Sequence, residues 1–254
     1  MKTYKFIDLF CGCGGLSKGF TLAGFESVGG IDFNSAAIRT FNENFADSKG
    51  ICCDLLEMGV DRIKEEFGDL SDIDVIIGGP PCQGFSSANR YKVEGDDPRN
   101  KLFFEFVKFV DLAKPDAVVI ENVRGIVTQD NGYAKNRIYE IFESRGYQVN
   151  HQILDAFDYG VPQRRLRNFF VMLKKEKFDF STIVKCTEKR TVKESIGELY
   201  YLEEDGRDVK VIDKAPTTAY QKYLRSANNL IVNHDIRYTN NKQGLSNKQN
   251  HDIA

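Results

Sequence analysis

What this 254-residue chain lacks narrows its class before any motif is read. It has no apolar run near the roughly 18–20 residues that cross a bilayer. Its longest, such as Ile73–Ile77 and Val118–Ile120, are far shorter. The opening Met1-Lys2-Thr3-Tyr4-Lys5 leads into no apolar segment of signal-peptide length, so a cytoplasmic protein with no membrane partner is expected. Strong charge of either sign is also missing. The formal net charge is −2, so any polyanion must be met by local basic clusters. The six cysteines, at 11, 13, 52, 53, 82 and 186, lack zinc-type spacing and have no neighbouring His, so no metal site is expected. Disulfides are not expected without an export signal. Cys11, Cys13, Cys52 and Cys53 read as small apolar residues in strands and tight turns.

What is present is an alternation of short apolar runs with helical stripes. Strands are expected at Tyr4–Phe10, Glu26–Ile31, Gly50–Cys53, Ile73–Ile77, Ala117–Ile120, Tyr147–Leu154 and Asn168–Leu173. Between them Leu16/Phe20/Ala23, Ala36/Ile38/Phe41, Asp61–Phe67, Leu102–Val110 and Ile138/Ile141/Phe142 recur at helical spacing. Gly24, Gly68 and Gly146 stand where helices should stop. The rhythm predicts a parallel α/β sheet with helices on both faces. It fails after Lys174, where the chain turns polar and rich in Asn and Lys. Two regions are therefore expected: residues 1–174, and an irregular stretch from 175 to 254 in which Val192, Ile196 and Leu199 suggest one short helix.

The turn Phe10-Cys11-Gly12-Cys13-Gly14-Gly15 lies between the first strand and the first helix. Glycines there let the backbone approach a ligand, at the carboxyl end of the sheet where α/β ligands bind. The spacing is G-x-G-G, with Ser17 where a dinucleotide site needs a third glycine, which argues against a pyrophosphate cofactor. Asp32 ends the second strand, where a carboxylate can accept both ribose hydroxyls, and Asp54 follows the third, placed for an adenine amino group. Three matched strand ends in order suit an adenosyl ligand without pyrophosphate, namely S-adenosylmethionine.

Cys82 sits in Gly78-Gly79-Pro80-Pro81-Cys82-Gln83-Gly84-Phe85-Ser86, a run of poor strand and helix formers in which the prolines fix the backbone. It is a candidate nucleophile, requiring surroundings that favour the thiolate. Glu121, in Glu121-Asn122-Val123 at the next strand end, shares that rim and is a general-acid candidate. Arg165 and Arg167, in Gln163-Arg164-Arg165-Leu166-Arg167, are two apart and would share a face if extended. Their guanidinium forks suit phosphate or a base carbonyl. Lys185–Lys193, a second basic cluster, reads as a solvated face.

Together these elements closely resemble the DNA (cytosine-5) methyltransferases, especially the bacterial restriction-modification type. The resemblance spans about Tyr4 to Leu173. It rests on Phe6–Gly15, Pro80-Pro81-Cys82-Gln83, Glu121-Asn122-Val123 and Tyr159-Gly160-Val161-Pro162-Gln163-Arg164-Arg165-Leu166-Arg167, in family order. It implies a Rossmann-like S-adenosylmethionine-dependent methyltransferase sheet acting on a cytosine flipped out of double-stranded DNA. Cys82 would attack C6, Glu121 would hold and protonate N3, Arg167 would bind O2 and Arg165 would support it. Around the cofactor it implies Phe10, Gly12, Cys13, Gly15, Asp32, Phe33, Asp54, Leu55, Pro80 and Leu102. Ser86–Lys101 would be a mobile loop that closes over DNA.

Family members continue through a variable target-recognition region and return to the catalytic domain with two further motifs. Neither motif is legible between Lys174 and Ala254, where Thr191–Leu199 resembles only the lead-in to that region and Asn233-His234 a point within it. Three explanations stand: an enzyme split in two, with a second polypeptide supplying the missing motifs, a truncated gene, or a fragment of a longer chain; a split or truncated enzyme is the expectation, with a cognate restriction endonuclease as a candidate partner. The alternatives are a transfer-RNA cytosine-5 methyltransferase and a catalytically incomplete subunit or remnant.

Overall fold

The computed structural model describes residues 2–81, 98–197 and 215–224. Cys82, most of the expected loop Ser86–Lys101, Leu199, Asn233 and His234 lie outside the described residues. The chain divides into two compact units, Met1–Thr191 and Val192–Ala254.

The first unit is built on seven strands, β1 (Lys5–Leu9), β2 (Glu26–Asp32), β3 (Lys49–Cys52), β4 (Val75–Gly78), β5 (Ala117–Val123), β6 (Gln148–Asp155) and β7 (Leu166–Leu173). Its described residues form five α-helices: α1 (Gly15–Leu22), α2 (Ser35–Asn44), α3 (Val60–Phe67), α4 (Pro98–Ala113) and α5 (Tyr133–Glu143). Every strand and helix expected in this unit is present, with ends shifted by a few residues. Gly24, Gly68 and Gly146 stand just past α1, α3 and α5 with φ of +90°, +73° and +82°, a backbone that side chains resist.

The sheet order is β3-β2-β1-β4-β5-β7-β6. The first five strands run parallel, whereas β7 lies antiparallel to both β5 and β6. The expected all-parallel sheet is therefore mixed. The cause is the connection over residues 156–165, which holds only a short 3₁₀ turn, Ala156–Tyr159. Parallel neighbours need a crossover of a dozen residues or more, usually with a helix.

Side chains alternate across the sheet, and each set finds its own helices. Ile7, Leu9, Ile76, Val118, Ile120 and Phe170 pack under α4 and α5, whose Phe103, Phe106, Ile138 and Phe142 are fully buried. Phe6, Val75 and Ile77 face the other way and meet Leu16 and Phe20 of α1. Phe41 of α2 is buried on that second face over Gly30 and Gly50, where a Cβ would collide with its ring. Helices thus cover both faces.

The order reverses beside β1, since β2 and β3 extend one way and β4 begins the other. Such a switch point leaves a crevice beyond the carboxyl ends of the strands. There β1 and β4 approach so closely that a Cβ on Gly78 would strike the Leu9 carbonyl oxygen. Structure in this unit continues past Lys174. Phe180 is buried, and Asn150 Nδ2 donates to the Phe178 carbonyl at 2.7 Å.

The described part of the second unit holds α6 (Val192–Ile196) and α7 (Ala219–Leu224), where the sequence suggested a single helix. Thr218 Oγ1 donates to the Glu194 carbonyl at 2.7 Å, tying the two. Among the described residues no helix is long and apolar enough to cross a membrane.

Candidate active site

Two adjoining cavities open at the switch point, and Phe10 and Gly79 line both. Phe10 directly follows β1 with φ of +68°, a strained conformation for an aromatic residue. It is held there by its N–H, which donates to the Ile31 carbonyl at 2.8 Å, with the Cys11 N–H on the same oxygen at 3.0 Å.

The smaller cavity, about 470 Å³, is walled by Phe10, Asp32, Phe33, Asp54, Leu55 and Leu102. All six were singled out from the sequence. Ile31, Cys53, Gly79 and Pro81 complete it, so the lining proline is Pro81, not the expected Pro80. Gly12, Cys13 and Gly15 are not among its walls, and Gly15 lines the larger cavity instead. Gly12 acts one step back. Its N–H donates to Asp32 Oδ2 at 2.9 Å, while Asp32 Oδ1 accepts from the Asn34 N–H at 2.9 Å. Both oxygens keep a second lone pair for a ligand. Among the described residues Asp54 Oδ1 accepts only from the Leu56 N–H, at 3.0 Å. Phe33 is 77% exposed, a large ring left uncovered at the mouth. The volume lies within the roughly 300–1,000 Å³ of small-molecule sites. Two carboxylates with spare acceptor capacity, apolar walls and an open aromatic face suit an adenosine-type ligand with no pyrophosphate.

The larger cavity, about 550 Å³, is bounded by Glu121, Arg165, Arg167, Phe169, Leu154 and Tyr159, with Asp8 and Leu16 at its base. The strand register assembles it. Glu121 pairs with Phe169 and Val123 with Arg167 across the antiparallel β5–β7 ladder. Glu121 and Arg167 are therefore diagonal neighbours on one face, within reach of long side chains. Arg167 Nε meets Glu121 Oε1 at 2.8 Å, with about a quarter of each side chain exposed. A Cβ on Gly79 would stand 3.4 Å from Glu121 Oε2, so its absence leaves that oxygen room. Arg165 lines the cavity too, and among the described residues its guanidinium has no partner.

Asn122, part of the quoted Glu-Asn-Val run but given no role from sequence, donates from Nδ2 to the Pro80 carbonyl at 2.8 Å. This bond fixes the lead-in to Cys82 against the end of β5. Asp8 was also missed. It is 1% exposed and its Oδ2 accepts from Ser17 Oγ at 2.5 Å. Burial pushes its carboxyl up to about 7, against the opposing effect of the Ser17 bonds. Its place as the lone acid within the apolar run Phe6–Leu9 could have flagged it, since an acid in the middle of a buried strand is rare. Burial also drives the Cys11 thiol far above its ordinary value, so Cys11 stays protonated. The expectation for the cysteines divides: Cys11 and Cys53 are buried, Cys13 and Cys52 exposed.

Lys185 and Lys189 are not simply solvated. Both pair with Asp158, at 2.9 and 2.8 Å, and hold its carboxyl down to about 2. They fasten the segment after β7 to the 156–165 connection.

A family model described as C-5 cytosine-specific DNA methylase matches residues 4–253. The chain is 39% identical over 239 residues to the Type II methyltransferase M.DdeI of Desulfomicrobium norvegicum, covering 90% of this chain and 56% of that protein. It is 41% identical over 167 residues to the Type II methyltransferase M1.HphI of Haemophilus parahaemolyticus, covering 65% of this chain and 45% of that protein. The chain spans about half the length of these curated relatives. Among solved structures it is similar to a prophage-encoded protein of E. coli described as a DNA modification methyltransferase. The TM-score is 0.68 at 32% identity, covering 87% of this chain and 64% of that one. The Dnmt2 methyltransferase of S. pombe shares the fold, with a TM-score of 0.58 at 20% identity over 84% of this chain and 63% of that one.

Proposed function

The chain belongs to the C-5 cytosine-specific DNA methylase family, and from that premise we propose that it methylates C5 of a cytosine in double-stranded DNA. The observation that carries this reading is the Glu121–Arg167 pair on the wall of the larger cavity, beside a second cavity suited to adenosine. A carboxylate and a guanidinium 2.8 Å apart present an acceptor and a donor side by side. The Watson–Crick edge of cytosine carries the complement: its amino group donates to the carboxylate and its O2 accepts from the guanidinium, with the N3 acceptor between them. That edge is paired inside a duplex, so the base must be flipped out to reach the cavity.

Residues 1–174 are the catalytic and cofactor-binding part, and residues from 175 on begin the target-recognition region. Asp32, Asp54, Phe33, Phe10, Leu55 and Leu102 hold the cofactor, with Gly12 positioning Asp32 and with Cys13, Gly15 and Pro80 on the surrounding backbone. S-adenosylmethionine, when bound, supplies an electrophilic methyl group on sulfur. Cys82 adds as thiolate to C6, and its electron pair enters the ring. Glu121 gives a proton to N3, so no net charge builds there, and Arg167 donates to O2 with Arg165 beside it. C5 would then be nucleophilic toward the methyl group of a bound sulfonium, whose S–CH3 bond would break to leave S-adenosylhomocysteine. Loss of the C5 proton to a base, expulsion of the Cys82 thiolate and return of the N3 proton to Glu121 restore the aromatic ring.

The Type II names of the relatives support a role in restriction-modification, protecting DNA from a cognate endonuclease.

The deciding test is covalent trapping. A duplex carrying 5-fluorocytosine in place of cytosine, with S-adenosylmethionine, should form an adduct stable to denaturation, since fluorine cannot leave as a proton does. The adduct should vanish in Cys82→Ser. No adduct from the wild-type chain, alone or with a complementing polypeptide, would overturn the reading.

A further inference from the structure

Three arginines in four residues, Arg164, Arg165 and Arg167, emerge at one end of β7, yet only two of them line the cavity. The difference traces to Asp155, the last residue of β6, which is 6% exposed. Its Oδ1 accepts from the Phe157 N–H at 3.2 Å and from the Arg165 N–H at 3.0 Å. Its Oδ2 pairs with Arg164 Nε at 3.0 Å. One carboxylate therefore clasps both ends of the 156–165 connection and one of the three guanidinium groups. Arg164 is 72% exposed and also lies over the Phe157 ring, 5.5 Å from its centroid. The Ala156 N–H, donating to the Arg165 carbonyl at 3.1 Å, closes the same corner.

We propose that Asp155 is a positioning residue that sorts the three arginines. It draws Arg164 out of the cavity and anchors the Arg165 backbone, so that only Arg165 and Arg167 face the target base. The proposal rests on the cytosine-site reading of those two residues. A buried carboxylate suits this task better than an amide. Asparagine could still accept the two backbone N–H bonds, but it would not hold a guanidinium by charge. A freed Arg164 would compete for Glu121 and for nearby phosphates.

The test uses the whole chain as wild type, Asp155→Asn, Arg164→Gln and the double variant. Duplex affinity is measured by fluorescence anisotropy over a salt series, and adduct formation on a 5-fluorocytosine duplex by denaturing gel. In Asp155→Asn the slope of log affinity against log salt should steepen by about one, the release expected of one added phosphate contact. Adduct formation should slow about tenfold, the scale of a displaced positioning group. Arg164→Gln alone should leave the adduct rate unchanged, and in the double variant it should bring the rate back to within about twofold of wild type. A purely structural Asp155 would give no such rescue. An Asp155→Asn variant matching wild type, or a double variant no faster than Asp155→Asn, would overturn the proposal.

Exchange of the Arg164 Nε–H, followed by NMR without DNA, separates this from the function itself. Should the wild-type chain neither bind nor trap the duplex, the cytosine reading fails. Protection lost in Asp155→Asn then upholds the sorting, and an unprotected wild-type Nε–H refutes it.

Discussion

Asp8 carries its carboxyl beneath the first turn of α1, against Ser17 and at the base of the larger cavity, with Asp32 the nearest like charge. Burial holds it at about 7, well above the roughly 3.9 of an unfolded chain. Between those values the native state keeps a proton that the unfolded chain has lost. Its contribution is therefore complete below about pH 4 and is lost as pH rises through 7. Urea melts at pH 5 and pH 8 should show the wild type losing stability relative to Asp8→Asn across that interval. Parallel losses in the two proteins would refute the assignment. Glu121 differs in kind, because its pair with Arg167 is partly solvated and such a pair is worth about 1 kcal/mol or less. Glu121→Gln should leave the thermal midpoint nearly unchanged while slowing adduct formation on 5-fluorocytosine duplex about 100-fold or more. A variant that traps at the wild-type rate would remove Glu121 from the chemistry.

At the scale of elements, packing constrains the β1–α1 turn. Gly14 has φ of +90°, and a Cβ there would run into the Phe45 ring and stand 3.0 Å from Phe41. Gly14→Ala should cost about 2 kcal/mol or more from strain and overpacking, read as a lower urea midpoint. An unchanged midpoint would mean that the aromatic pair gives way freely. The β6–β7 hairpin was the element misjudged from sequence. Strands at Tyr147–Leu154 and Asn168–Leu173 leave a gap long enough to suggest a parallel crossover, but β7 begins at Leu166, where Leu166 and Arg167 continue the ladder opposite Asp155 and Leu154. Leu166, exposed by over a third, and charged Arg167 do not look like strand from periodicity alone. In the wall of the smaller cavity Asp32 and Asp54 were readable because they lie at strand ends in fixed order, whereas Phe10, Phe33, Leu55 and Leu102 followed only from the resemblance. Glu121 and Arg167 were readable only as candidates, since their contact depends on the antiparallel register that brought them diagonal.

For the molecule as a whole, the two cavities meet at one switch point and share Phe10 and Gly79, so ligand binding and stability should be linked. A ligand that binds only the native chain adds about 2.7 kcal/mol at a hundredfold excess over its Kd. S-adenosylmethionine should raise the thermal midpoint by several degrees, and Asp32→Ala with Asp54→Ala should abolish that shift while the apo protein still folds. An equal shift in the double variant would mean the ligand sits elsewhere. The net charge of −2 remains compatible with a DNA substrate because charge is not evenly spread, and Arg165 and Arg167 both line the larger cavity.

The sequence by itself determined the α/β class, nearly every element of the first unit, and the strand-end positions of Asp32, Asp54 and Glu121. These follow from local periodicity and from turns that only glycine or proline make well, which need no distant partner. Tertiary structure alone decided the direction of β7, the pairing of Glu121 with Arg167, the rise of the Asp8 carboxyl and the separation of Arg164 from its two neighbours. Each of those depends on which groups the folded chain brings within a few ångströms and on how much water it removes from between them.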